Sequence, residues 1–147
     1  MMRTAGSRCA LILAVLLFCT PALAHDWTGT NDPELARWFM SLQRKIDHFS
    51  CCGVSEGYSI RILREADPNR PKEDTGIAEI LDGRELTLQG GVHRMSLPDG
   101  LQFRFSYDKL TSENSGNPTP FQWAFLSVDM GHIITRVYCV VPLLPGT

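Results

Sequence analysis

The chain has 147 residues, 44% of them hydrophobic, and a formal net charge of −2. That is enough for one domain with a core of its own. No run of five or more basic residues occurs, which excludes the electrostatic footprint of a nucleic-acid binder and a patch for an anionic membrane surface.

Residues 1–24 have the three parts of a secretory signal. Arg3 and Arg8 give the positive start, and Cys9 to Cys19 is an apolar run, shorter than the ~20 residues a membrane span needs. Ala22-Leu23-Ala24 is a small-x-small cleavage site, so the mature chain is expected to begin at His25. The expected organisation is a signal peptide over 1–24 and a single α+β domain over 25–147. Its expected location is periplasmic or secreted, with no membrane span after cleavage.

The first expected element is a helix. Asp32 is a good N-cap, Pro33 suits the first helical position and Glu34 suits the positive end of the dipole. Leu35, Trp38, Phe39, Leu42, Ile46 and Phe49 recur at three- and four-residue spacing and predict one apolar stripe reaching Phe49. Arg37, Ser41, Arg44 and His48 fall on the opposite side.

The period then changes from 3.6 to 2. Tyr58, Ile60 and Ile62 alternate with polar residues as in a half-buried strand, and residues 66–75 are a polar loop with two prolines. Ile77–Leu81 and Glu85–Leu88 flank Asp82-Gly83, a two-residue hairpin signal. Val92–Leu97 reads as a short strand. Leu101, Phe103, Phe105 and Tyr107 give the clearest alternation. After a second loop over 111–120, Phe121–Val128 and His132–Val141 read as a hairpin, with Ile133, Thr135, Val137, Cys139 and Val141 on one face. The sum is an α+β fold: one N-terminal amphipathic helix packed on a twisted antiparallel sheet, or small barrel, of about six strands. Phe103, Phe105, Tyr107, Phe121, Trp123 and Phe125 are placed in its core by their strand spacing, and Arg104 and Arg136 on its solvated face.

Export decides how the cysteines are read. Cys51, Cys52 and Cys139 remain in the mature chain, and an oxidising compartment favours pairing. Cys139, on an apolar strand face, is expected to bridge to Cys52, with Cys51 as the alternative partner. Adjacent residues on an extended chain point opposite ways, so only one of the two faces Cys139. A thiol redox enzyme would carry Cys-x-x-Cys at a helix start; here the pair follows a helix. The metal candidates are His48, Cys51 and Cys52, soft ligands within five positions that suit copper or zinc. A second is His25 as a new amino terminus, with His93 or His132 as partner. Ligand spacing is incomplete in both sets, so no cofactor is assigned. No Gly-x-Ser-x-Gly elbow or His-Glu-x-x-His helix is present, which points away from an enzyme.

Trp38-Phe39-x-Ser41-Leu42, Ser50-Cys51-Cys52, Gly116-Asn117-Pro118 and Val137-Tyr138-Cys139-Val140-Val141-Pro142 together resemble a group of small, secreted, uncharacterised bacterial proteins. In that group a Trp-Phe-x-Ser-Leu helix precedes Ser-Cys-Cys and the chain ends near Cys-Phe-Val-Pro. Val140 stands here in place of the phenylalanine, and the additional cysteines of many relatives are missing. The resemblance implies an envelope location and a stapled α+β domain, and no activity. The functional expectation is a non-enzymatic domain that binds an envelope protein or a small ligand, with a periplasmic copper or zinc binder as the alternative.

Overall fold

The computed structural model describes residues 32–51, 55–87, 93–112 and 116–143. The expected signal peptide, His25 and Cys52 lie outside the described residues. Helix α1 spans Pro33–Ser41. The Asp32 carboxylate accepts from the N–H groups of Glu34 at 2.8 Å and Leu35 at 3.3 Å, satisfying donors that have no partner within the helix.

The strands are β1 (Glu56–Arg64), β2 (Gly76–Asp82), β3 (Leu86–Thr87), β4 (His93–Arg94), β5 (Gln102–Phe105), β6 (Gln122–Val128) and β7 (Ile134–Val141). Five of them form one antiparallel sheet in the order β5-β2-β1-β6-β7, curled into a half-barrel, and β3 pairs with β4 as a separate ribbon. A 3-10 turn, Tyr107–Lys109, follows β5.

This corrects the expected α+β fold of an extended N-terminal amphipathic helix on about six strands. The helix is short and stops at Ser41. Leu42 turns extended, with φ −69° and ψ 129°, and residues 42–51 double back, with Arg44 N–H donating to Phe49 O at 3.0 Å and Cys51 N–H to Leu42 O at 3.0 Å. The Arg44 guanidinium grips the Asp47 carboxylate, which also accepts from Phe49 N–H at 3.2 Å. This local side-chain-to-backbone bonding competes with helix. Ile46 and Phe49 therefore end up about half exposed instead of continuing the buried stripe.

The Asp82-Gly83 hairpin is also absent. β2 pairs with β5, Ile80 N–H donating to Leu101 O at 3.0 Å. Gly83 instead lets the backbone close in: a Cβ there would lie 1.9 Å from Leu97 O. The ribbon is tied to β1 through Arg94, a buried residue. Its guanidinium donates to Arg84 O at 2.7 Å and Gly57 O at 3.1 Å and lies 5.0 Å from the Tyr58 ring centroid. Burial lowers the pKa of Arg94. Asp82, bonded by Arg84 and 3.5 Å from Arg94, is pulled down to about 2.

Two cores lie on the two faces of the sheet. The inner one gathers Tyr58, Ile60, Ala78, Ile80, Phe103, Phe105, Leu126 and Val140. The outer one sits under α1, where Phe39 meets Trp123 edge-on at 5.2 Å and Phe125 at 5.5 Å, beside Leu35, Cys139 and Val141. The expected single face of β7 is split. Two bulges leave Tyr138 and Thr135 as extra residues, so Cys139 lies opposite Phe125 while Val137 lies opposite Leu126. Adjacent residues of β6 point to opposite faces, so Cys139 joins the outer core and Val137 packs on the inner one.

Candidate functional site

The half-barrel leaves β5 and β7 as its two edges. They approach within 8 Å between Cα atoms without pairing. Along this open seam lies a cleft of about 850 Å³. One rim is Leu101 to Arg104. The other runs from His132, in the β6–β7 turn, to Tyr138. Arg44, Phe49, Asp74 and Lys109 complete the lining.

Local structure explains each wall. Phe103 faces the inner core, and the strand period then turns Gln102 and Arg104 outward. The bulge at Tyr138 swings its ring beside Phe49, with which it stacks at 6.2 Å and 14°. The Arg44 guanidinium lies 4.6 Å from the Phe49 centroid and the Arg136 guanidinium 5.6 Å from the Tyr138 centroid. One wall is thus a run of cation, ring, ring and cation, a geometry in which each charge is held over a π face. The floor is apolar: Ile134 and Val137 are half-buried against the inner core.

The charges are unbalanced. Arg44, Arg104, Lys109 and Arg136 line the cleft with one carboxylate, Asp74. Arg44 is occupied by Asp47, and Lys109 lies 3.6 Å from Asp108. Arg104 and Arg136 are exposed, one on each edge strand, and neither has an ion-pair partner among the described residues. His132 adopts φ 59° and its Nδ1 lies 2.8 Å from Ser96 O, fixing the β6–β7 turn against the segment before β5. The described lining contains no serine or cysteine, and the one hydroxyl of a threonine, on Thr135, is turned to Ser127 O at 3.1 Å. The arrangement can hold an anionic, partly apolar molecule.

No known protein family, curated protein or solved structure matches this chain.

The sequence-predicted residues fall elsewhere. Cys139 is bonded to Cys51, the alternative partner, with sulfurs 2.08 Å apart, and not to Cys52. Cys51 is therefore spent as a metal ligand. His48 is exposed in the turn after α1 at φ 55°, its N–H donating to Arg44 O at 3.1 Å. His93 is exposed on β4 and His132 lies in the β6–β7 turn. Among the described residues no three His, Cys, Asp or Glu side chains are grouped to hold a metal ion. Of the aromatics expected in the core, Phe121 is 48% exposed while Phe103, Phe105, Trp123 and Phe125 are buried. Sequence reasoning passed over Arg104 and Arg136 as solvated residues. The only signal was that both interrupt apolar strands; nothing local showed that the two strands are edges of one sheet.

Proposed function

We propose that this chain is an exported, non-enzymatic binding domain and that its ligand seat is the seam between β5 and β7. The observation that carries this reading is the pair of guanidiniums, Arg104 and Arg136, which have no ion-pair partner among the described residues and face a common apolar-floored cleft from opposite sheet edges. Two such cations over an apolar floor favour a ligand with both a negative charge and apolar surface. The secretory-type N-terminus and the resemblance to small secreted proteins support an envelope setting.

The test is amide-resolved NMR on the mature chain with two probes, dodecanoate and the blocked peptide Val-Glu-Val-Glu-Val. At least one is expected to shift the resonances of 101–104 and 133–138, and an Arg104→Ala/Arg136→Ala variant to lose the effect. If neither probe moves those resonances, the seam is not a ligand seat.

A further inference from the structure

We infer that the occupant of the seam is an extended peptide with alternating acidic and apolar residues, added as a strand along β5; this rests on the seam being the ligand seat. An edge strand presents a row of unsatisfied backbone donors and acceptors. Leu101 O accepts from Ile80 N–H on β2 at 3.0 Å. Antiparallel alternation then turns the backbone N–H and C=O of Gln102 and Arg104 away from β2, into the seam. Across the seam, among the described residues, β7 is capped only at its far end, where Thr111 N–H donates to Val140 O at 3.0 Å. From Ile134 to Tyr138 its outer side receives no strand among the described residues. The 3-10 turn after β5 packs on β7 and closes that end of the seam, so a peptide enters from the side of Gln102 and Ile133.

The two faces of the seam differ in chemistry, and a strand's side chains alternate between faces. On the inner side Ile134 and Val137 offer apolar contact. On the outer side stand Arg104 and Arg136, with no carboxylate paired to either among the described residues. A strand whose apolar residues point in and whose acidic residues point out matches both. Five residues at ~3.3 Å each span ~16 Å, the length of the bare part of β7, Ile134–Tyr138. Strand addition of this kind takes affinity from main-chain hydrogen bonds and selectivity from alternate side chains. A free fatty-acid-like anion satisfies the guanidiniums but leaves the backbone row of β5 unused.

The experiment is fluorescence anisotropy of the mature chain with labelled Val-Glu-Val-Glu-Val. Its Val-Lys-Val-Lys-Val counterpart is expected to bind at least tenfold more weakly. Two further peptides carry N-methyl groups on alternate amides, one in each register. At least one of these is expected to lose tenfold, because the methyl removes donors that β5 needs. An Arg104→Glu/Arg136→Glu variant, whose fold is checked by circular dichroism, is expected to reverse the preference and take the lysine peptide. Acidic and basic peptides binding equally would overturn the proposal, as would both methylated peptides matching the parent. Dodecanoate binding at 101–104 and 133–138 without any peptide binding also sinks it, while leaving the seam as a ligand seat. Silence from every probe removes both.

Discussion

The two halves of β7 are built for different ends. Cys139, Val140 and Val141 are fully buried; α1 covers Cys139 and Val141 on the outer face, Val140 packs in the inner core, and Thr111 caps the strand edge. Ile134 to Tyr138 are half-buried or exposed, their edge receives no strand among the described residues, and Ile133 just before them is 61% exposed. The bulge at Tyr138 is the joint between them. It shifts the odd-numbered positions from the outer core, at Cys139 and Val141, to the inner one, at Val137, and throws an aromatic ring into the cleft wall. A single strand can therefore be rigid where the fold needs it and open where a ligand is received, because one inserted residue uncouples the two faces.

The largest perturbation of this contrast is removal of its covalent pin. The Cys51–Cys139 bond closes a loop with a sequence separation of 88, worth ~4–5 kcal/mol in the loop-entropy model. A Cys51→Ser/Cys139→Ser variant is expected to lose most of that in urea unfolding under oxidising conditions. Amide exchange should quicken first at 139–141. An unchanged urea midpoint would mean that the helix-covered half holds without its bond.

A matched pair of truncations sharpens the comparison at equal chemistry. Val141 is 0% exposed in the outer core, whereas Val137 is only partly buried. Val141→Ala is expected to cost about 2 kcal/mol and Val137→Ala about 1, since lost methyl burial and residual cavity scale with how enclosed the site is. Equal losses by urea titration would show β7 to be uniformly packed.

What could be read in advance follows the range of the forces involved. The start of α1 was legible because Asp32, Pro33 and Glu34 act within one turn. Its end was not: the stripe through Ile46 and Phe49 obeys the helical period, and only the Asp47 turn and the reach of Cys51 to Cys139 override it. β1, β5 and β6 lie in stretches where alternation predicts strands, since period 2 is a local signal. The placing of Val137 on the same face as Cys139 failed because a bulge inverts the alternation without leaving a local mark. Choosing between Cys51 and Cys52 needed the path of the chain after α1. The cleft was illegible for the same reason as the missing Asp82-Gly83 hairpin. Strand order decides both, and strand order is set by pairings such as β2 with β5, between segments far apart in sequence.

Acid gives the smallest test, and it separates the covalent pin from an ionic one. The Cys51–Cys139 bond does not titrate in acid, whereas the ribbon of β3 and β4 is latched by Arg94 with Asp82 close by. Asp82 is held near 2, chiefly by its hydrogen bonds from Arg84, against an ordinary value of 3.8. A carboxyl whose folded pKa is depressed stabilises the fold above its unfolded pKa and ceases to do so as pH falls through the folded one. Its side chain is a third exposed, so solvent screening reduces the contribution to about 1 kcal/mol. Wild type is thus expected to exceed Asp82→Asn by about that amount at pH 7, with the gap closing between about pH 4 and pH 2. Over that window exchange should quicken at 93–94 while protection at 139–141 holds. Simultaneous loss at both places would show that the two pins are one cooperative unit, and that the division along β7 does not extend to the rest of the sheet.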